Sequence, residues 1–520
     1  MSAAATSYDA LPYEGGAFPL THPLKLGVIA ALQGLEVAPV RTCRVLEIGC
    51  GDGSNLLPLA ESYPEAQFHG FDLGQRHIDT AQRVARELGL SNVVFEQKDV
   101  LDFDPAGQTY DYILAHGIFS WVPDPVRTRI LDVARNCLSD RGVATISYNT
   151  LPGWHLRGAL RDMLGIHTRP FRTPADKLGQ ARALLQFLAD GAPKGSAYGA
   201  YLAFELKALM AMPDSYLLHE FLEGENRAFS LRTFVDLAWR HGLNYVGDAK
   251  RLVTAAGSLT PGVRAALTRM TRDAVEFEQY ADFVSVRSFR RSVLVRSGRS
   301  PSREVHTDVL RRCWFTSDFR PASPTNGAEG GAERFSTPRG LTFSTQDRLI
   351  RAVLQRIAQA GPLDVSFDEL WQACRASTPE THGSASTHGP EVLEQLLHAL
   401  HNQAVVDVAL EPYPRAGRRS DRPRVTAFAR FEAQHRLKVT SRRHVGMKVD
   451  PFTRWLLPRL DGTRTRAQLL DDYVGMVASG ELTLQVAGKT LLDPVQVRVV
   501  AEEHLELGLQ QLEAASYLLP

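Results

Sequence analysis

Between residues 44 and 149, short apolar runs alternate with segments in which apolar positions recur at helical spacing. The runs lie at 44–49, 67–73, 92–99, 110–117 and 142–149, and the helical segments include 75–88 and 125–138. Strand–helix alternation at this spacing predicts right-handed crossovers and a parallel sheet that helices cover on both faces. Ligands of such sheets bind beyond the carboxyl ends of the strands, so we expect the site there.

Two more strand-like runs, at 242–249 and 288–298, follow a helical stretch from about 155 to 240. They would complete a seven-stranded sheet, and the helices before them would then be an insertion over the crevice. The predicted fold class is α/β, a Rossmann-like seven-stranded sheet with a helical insertion. An α+β, winged-helix-like C-terminal region follows it.

The C-terminal region is predicted from a change in composition. Residues 321–340 are rich in Pro, Gly, Ser and Ala, which is typical of a linker. Helical patterns near 344–360, 366–375 and 390–403 precede strand-like runs at 404–411 and 424–431, which suggests a winged helix. A similar arrangement is expected to recur, with helices around 450–460, 464–477 and 493–512. The predicted division is a core at 1–165, an insertion or regulatory region at 166–320 that completes the sheet, the linker at 321–340, and the C-terminal region at 341–520.

Composition excludes several classes of partner. The 520 residues are too many for one core, and the formal net charge of +1 gives no overall field for nucleic acid or membranes. No apolar run approaches the length of a membrane span and no signal peptide precedes the first strand, which predicts a cytoplasmic protein without membrane insertion. The five cysteines have no ligand spacing, so we expect reduced thiols and no metal.

The segment "VLEIGCGDGSN" (45–55) carries the first chemical signal. Its glycines let the backbone turn tightly and approach a ligand closely. A dinucleotide site would have the spacing GxGxxG, whereas here the spacing is ExGxGxG with Glu47 at the end of the strand. A carboxylate suits a ligand with an ammonium group and hydroxyls, such as S-adenosylmethionine, and would repel a diphosphate.

Two later acids agree with this ligand. Asp72 ends the second strand, where it can accept the ribose hydroxyls, and Asp99 ends the third, where it can accept from the adenine amino group beside Val100. Together they predict a class I methyltransferase, with a nucleotide-binding or inactive relative as the alternative. The residues expected to contact S-adenosyl-L-methionine are Glu47, Gly49, Cys50, Gly51, Gly53, Asn55, Asp72, Leu73, Asp99, Val100 and His116.

Several segments resemble one family. They are "YDALPYEGGAF" (8–18), "THPLKL" (21–26), "AHGIFSWVP" (115–123), "SYNTLPGW" (147–154) and "YLLHEFLEGENRAF" (216–229). They are similar to bacterial methyltransferases that carry a methyltransferase regulatory domain, among them the rickettsial protein lysine methyltransferases that act on outer-membrane protein B. The resemblance covers about residues 1–300 and continues more weakly at 450–473. It implies lysine N-methylation of a protein acceptor, which could be an outer-membrane or surface protein.

A lysine acceptor must lose a proton before it can attack the methyl group. With a reference pKa near 10.4, this costs roughly 4–5 kcal/mol at pH 7, and an apolar cage lowers the cost because it disfavours the charged amine. The residues proposed for the cage and its orienting groups are Tyr13, His116, Phe119, Trp121, Tyr148, Asn149 and Trp154.

Structural roles compete with these assignments. Trp121 and Trp154 could only pack loops onto the core, and His116 could be a structural donor. Of the adjacent His219 and Glu220 at most one is expected to face the site, and Glu220 could equally cap a helix or form an ion pair. Two other functions stay open: methylation of a small molecule or natural product, and a nucleic-acid-binding regulator whose cofactor domain acts as a sensor. We favour a solvated loop for the basic runs at 415–424 and 441–444, so nucleic acid is not the expected partner.

Overall fold

The fold is taken from a computed structural model. It describes residues 15–191, 195–250, 259–302, 304–322, 332–337, 340–377, 389–414, 417–486, 489–491 and 493–520. Its central element is a seven-stranded sheet made of β1 (Arg44–Ile48), β2 (Gln67–Asp72), β3 (Val93–Gln97), β4 (Tyr110–Ala115), β5 (Leu138–Asn149), β6 (Leu243–Asp248) and β7 (Phe289–Arg296). The strand order is β3-β2-β1-β4-β5-β7-β6, with β7 antiparallel to both neighbours. The predicted α/β fold with seven strands is confirmed.

Helices cover both faces of this sheet. They are α1 (Pro23–Leu32), α2 (Leu57–Ser62), α3 (Gln75–Glu87) and α4 (Asp124–Cys137). Successive residues of β1 face opposite sides, and Val45 and Leu46 accordingly belong to two different buried clusters. The apolar run of β1 is continuous because both of its faces are covered.

The insertion between β5 and β6 is a small helical layer with its own apolar core. Its elements are α5 (Gly153–Thr168), α6 (Pro174–Gly191), α7 (Ala197–Met210), α8 (Asp214–Leu217), a π-helical turn (Leu218–Leu222) and α9 (Leu231–Arg240). Leu164, Leu185 and Phe221 are among the side chains buried between these helices. Before β7 come α10 (Pro261–Met270) and α11 (Ala274–Ser285). Within the described ranges, no helix has the length and apolarity needed to span a membrane.

The predicted linker at 321–340 is wrong in part. Residues Glu333–Ser336 form β10, which pairs with β9 (Arg320–Pro321) and β11 (Thr342–Thr345) in an antiparallel sheet. Phe335 of β10 is completely buried. Small and polar residues surround this strand in the sequence, so composition alone concealed it.

A first helical unit follows, and its three predicted helices are confirmed. They are α12 (Arg348–Ala360), α13 (Phe367–Ser377) and α14 (Glu391–Asn402), with β12 (Val365–Ser366) before α13 and β13 (Asp407–Ala409) after α14. Both strands pair with β8 (Trp314–Thr316), which precedes the unit in the chain. The strand that pairs with β13 is therefore β8, which comes before the unit in the chain, and not the run at 424–431 that was predicted as the second wing strand.

The run at 424–431, predicted to be the second wing strand, is instead the start of a helix. Helix α15 (Ala427–His435) begins at Thr426, whose side chain accepts a hydrogen bond from Ala429 N. Phe428 and Phe431, three positions apart, are both buried in the cluster that contains Val45 of the central sheet. Positions three apart lie on the same face of a helix. The hydrogen bond from Ala429 N to the Thr426 side chain stabilises the first turn, which favours a helix over a strand here.

The last unit contains β14 (Lys438–Thr440), β15 (Gly446–Lys448), α16 (Pro451–Leu456), α17 (Arg466–Ala478), β16 (Gln485–Val486), β17 (Lys489–Thr490) and α18 (Pro494–Ala514). The three helices predicted here are confirmed. The C-terminal half shares buried surface with the central sheet: Tyr413 and Phe428 lie in the same cluster as Val45, and Val28 of α1 lies with Phe315.

Candidate functional site

A cavity of about 700 Å³ opens at the carboxyl ends of the parallel strands. The sequence-predicted residues that line it are Glu47, Gly49, Cys50, Gly51, Asp72, Leu73, Asp99, Val100, His116, Trp121 and Asn149. Topology explains the convergence, because β1, β2, β3, β4 and β5 all end at this edge. Gly53, Asn55, Tyr148 and Trp154 do not line the cavity, and Tyr13 lies outside the described residues.

The loop after β1 uses its glycines in different ways. Gly49 (φ +73°) turns the chain, and Gly51 (φ +54°) has no described atom within 4 Å of the position that a Cβ would take. A Cβ on Gly53 (φ +75°) would instead lie 2.7 Å from the ring of Phe95. Gly51 therefore leaves room for a ligand, whereas Gly53 is required for close packing against Phe95 and does not line the cavity.

Glu47 is a buried carboxyl with one satisfied oxygen. Its Oε1 accepts a hydrogen bond of 2.7 Å from Asn55 Nδ2, and its Oε2 has no hydrogen-bond partner among the described residues. Burial raises the pKa of Glu47 to about 8, although the bond from Asn55 opposes the shift. A buried carboxylate oxygen without a partner is a fitting acceptor for the ammonium group of S-adenosylmethionine. Asn55 acts behind Glu47 and does not reach the cavity.

The two other acids are partly engaged with the backbone. Asp72 Oδ2 accepts from Gly51 N at 2.9 Å and its Oδ1 accepts from Gly74 N at 2.8 Å. Asp99 Oδ1 accepts from Leu101 N at 2.9 Å. A carboxylate has about four acceptor positions, so these bonds leave capacity for ribose hydroxyls and an adenine amino group. They also hold both side chains in place before a ligand arrives.

His116 lies where the two aromatic rings of Phe18 and Phe289 meet the cavity. The ring centroids of Phe18 and His116 are 4.2 Å apart, and those of Phe289 and His116 are 5.9 Å apart. Burial, with a smaller contribution from Arg291, lowers the pKa of His116 to about 3. The imidazole is therefore neutral at pH 7, and its Nδ1 has no hydrogen-bond partner among the described residues.

Three members of the predicted aromatic cage are core residues, and their assignment to the cage is wrong. Tyr148 stacks on Phe234 with ring centroids 4.0 Å apart, and Phe119 is completely buried. Trp154 is almost completely buried and lies outside the cavity lining. Side chains alternate along a strand, so Tyr148 and Asn149 face opposite sides of the sheet, and only Asn149 faces the cavity.

Sequence reasoning missed much of the far wall. It is contributed by the insertion and by the start of β7, at Arg157, Tyr216, His219, Glu220, Ser288, Phe289 and Arg291. Burial raises the pKa of Glu220 to about 7, against the lowering effect of Arg157. At most one of His219 and Glu220 was expected to face the site, but both, in the π-helical turn, line the cavity. No local pattern marks Arg291. The described residues hold no cluster of His, Cys, Asp and Glu suited to a metal ion.

Three family models match the chain. A methyltransferase domain matches residues 40–162, a predicted methyltransferase regulatory domain matches 213–296, and a PKMT C-terminal winged-helix domain matches 421–517. The last match falls on the second C-terminal unit, where the winged-helix arrangement was expected to recur, and not on the first unit at 344–431.

Relatives match over most of the chain. An uncharacterized protein of Rickettsia prowazekii is 30% identical over 500 residues, covering 94% of this chain and 90% of that protein. The structure of PKMT2 from Rickettsia typhi in complex with AdoHcy superposes with a TM-score of 0.86 at 28% identity, over 98% of this chain and 100% of that one. The chain therefore belongs to the family of S-adenosylmethionine-dependent methyltransferases that join a class I methyltransferase domain to a regulatory domain and a PKMT-type C-terminal winged helix.

Proposed function

We propose that the protein transfers the methyl group of S-adenosylmethionine to lysine side chains of a protein acceptor. The observation that carries this proposal is the likeness to PKMT2 from Rickettsia typhi, which extends through the regulatory and winged-helix regions to 98% of the chain. Small-molecule methyltransferases among the relatives, such as a trans-aconitate 2-methyltransferase, match only about 15% of the chain. We therefore infer a protein acceptor from PKMT2, the relative that matches over nearly the full length of the chain.

The far wall of the cavity supports an amine acceptor. Trp121 and Tyr216 supply aromatic surface, and Glu220 adds a carboxyl whose pKa of about 7 lets it take up a proton near neutral pH. A lysine ammonium that enters the cavity beside this wall can give its proton to Glu220, and the free amine then attacks the methyl group. Asn149 and the neutral His116 then offer hydrogen-bond acceptors that orient the free amine.

S-adenosylmethionine supplies an activated methyl group, so the protein mainly has to position and desolvate the two reactants. We assign the ammonium of the cofactor to Glu47, the ribose hydroxyls to Asp72 and the adenine amino group to Asp99. Leu73 and Val100 line the same part of the cavity and would pack against the adenine ring.

The proposal is tested with methyl-labelled S-adenosylmethionine and a fractionated bacterial lysate, including outer-membrane proteins. Label should enter protein bands, and complete hydrolysis should release methylated lysine. The Asp72→Ala variant, which should not hold the cofactor, is the matched control. Label in small organic extracts, or in an amino acid other than lysine, would overturn the proposed acceptor.

A further inference from the structure

Two side chains of the C-terminal region contact the loop that follows β1. Arg436, at the end of α15, pairs with Asp52 at an Nη2–Oδ2 distance of 2.8 Å and also donates to Ser54 Oγ. Asp52 Oδ1 accepts from Ser54 N at 3.2 Å. Asp52 and Ser54 line the cavity, whereas Arg436 does not. Arg436 therefore holds the loop after β1, which we call the cofactor loop, from outside the cavity.

The second contact reaches further in. His444, which follows β14, places its Nε2 at 2.7 Å from Asn55 Oδ1. Phe18 N donates to the same oxygen at 3.0 Å, which fixes the orientation of the amide. Since an amide oxygen only accepts, His444 Nε2 carries the proton and donates it. Burial lowers the pKa of His444 to about 3, so the donor is a neutral imidazole.

Asn55 links His444 to Glu47, which lines the cavity. Its Nδ2 donates to Glu47 Oε1 at 2.7 Å, and all three side chains of the chain His444–Asn55–Glu47 are at most 3% exposed. Buried hydrogen bonds of this kind restrain both partners, because a bond that is broken leaves a polar group without water. The orientation of Glu47 therefore depends on a residue nearly four hundred positions away.

The docking of this region onto the core is itself specific. Both oxygens of Glu61, in α2, accept backbone N–H groups of the first turn of α15, from Ala427 at 2.6 Å and from Phe428 at 3.0 Å. Carboxylates at a helix N-terminus are favourable. The helix that carries Arg436 thus has a defined position relative to the loop.

We propose that Arg436 and His444 are positioning residues of the cofactor site, so that the C-terminal region is a structural part of that site and sets its affinity. His444 acts through Asn55 on the carboxyl of Glu47, and Arg436 acts on the loop through Asp52 and Ser54. This inference concerns cofactor binding only and holds whatever the acceptor is.

Calorimetric titration of the full-length protein with S-adenosylhomocysteine tests it. His444→Leu should weaken binding about tenfold, which is the size expected for one lost buried hydrogen bond. His444→Gln keeps an N–H donor and should restore the affinity to within about threefold of wild type. Arg436→Met should weaken binding about fivefold, and Arg436→Lys should lie between it and wild type.

Asp407→Asn is the matched control for the interface in general. Asp407 pairs with Lys25 of α1 and joins the same two regions without contacting the cofactor loop. The variant should lower the melting temperature and leave the affinity unchanged. An equal loss of affinity in Asp407→Asn, or binding within twofold of wild type in folded His444→Leu and Arg436→Met, would overturn the proposal. Arg436→Met removes no ring from the interior, so it keeps the test decisive should His444→Leu fail to fold.

A double-mutant cycle separates positioning from stability. In an Asn55→Ala background, which removes the link between His444 and Glu47, His444→Leu should cost much less affinity than it does in wild type, because residues of one hydrogen-bond network are not additive. Equal costs in both backgrounds would show that His444 does not act through Glu47.

Discussion

The rings of Trp121 and Trp154 meet edge to face with centroids 6.2 Å apart, and of the two only Trp121 lines the cavity. Trp154 lies at the start of α5 and also packs on Phe221 of the insertion, again with centroids 6.2 Å apart. The guanidinium of Arg157 lies 5.6 Å from the Trp154 ring. Trp154 therefore joins the insertion to the wall that Trp121 forms.

The two indoles should respond differently to truncation. Trp154→Ala leaves a large internal cavity and should lower the free energy of unfolding by about 3–5 kcal/mol. Trp121→Ala should leave folding nearly intact and reduce turnover by tenfold or more, because water then reaches the acceptor amine and favours its charged form. Thermal melts and initial rates distinguish the two. Unchanged turnover in Trp121→Ala would remove it from the acceptor wall.

Cofactor affinity should depend on pH through Glu47. The pKa of about 8 means that the free protein holds this carboxyl protonated at neutral pH. Binding an ammonium requires the ionised form, so binding should release a proton and affinity should rise from pH 6 to about 7.5. Above that range the amino group of the ligand, with a reference pKa of about 7.7–8.0, loses its own proton and affinity should fall. Calorimetry in buffers of different ionisation enthalpy measures the proton release, which Glu47→Gln should abolish.

Asp72→Ala should weaken cofactor binding at least tenfold, since hydrogen bonds to a charged group contribute about 1.5–3 kcal/mol each. The structure adds a second effect, because Asp72 also accepts from the backbone of Gly51 and Gly74. The unliganded variant should therefore also melt at a lower temperature. Asp79→Ala, on the exposed face of α3, is the control and should change neither property. Normal affinity in Asp72→Ala would rule out the ribose assignment.

Turnover on a lysine acceptor should fall as pH drops through about 7 if Glu220 takes the proton of the amine. A protonated Glu220 cannot accept that proton, so the acidic side of the pH–rate profile should belong to this residue. Glu220→Gln should lower turnover about a hundredfold and shift the remaining activity to higher pH. Glu225→Gln, an exposed acid close to it in sequence, should behave like wild type. An unchanged profile in Glu220→Gln would exclude its role as the base.

Separation of the chain near residue 322 should not release a stable N-terminal fragment. Its core would lose Tyr413 and Phe428, which pack in the same cluster as Val45, and exposed apolar surface of this kind favours aggregation. Co-expression with residues 332–520 should restore a folded, cofactor-binding complex. A monomeric fragment with a cooperative melt and normal affinity would contradict both this expectation and the positioning role of His444.

The sequence by itself determined the central sheet and the cofactor side of the site. Alternating strand and helix periods specify a parallel sheet, and the sheet carries Glu47, Asp72 and Asp99 to one edge because each acid lies within two residues of the carboxyl end of a strand. These are local signals, read within a few residues of each acid. These signals do not depend on which helices or domains pack against the outer faces of the sheet.

Only the tertiary structure decided which neighbours of those residues face the cavity. Asn149 and Tyr148 differ by one position, and the pleat sends them to opposite sides of the sheet. Glu220 and Arg291 reach the site from elements far along the chain, and Phe428, predicted in a strand, is helical because Thr426 and Glu61 satisfy the first turn. The contacts of Arg436 and His444 with the cofactor loop join residues more than 380 positions apart. Such contacts depend on how the elements pack, and no periodicity or motif within either segment encodes them.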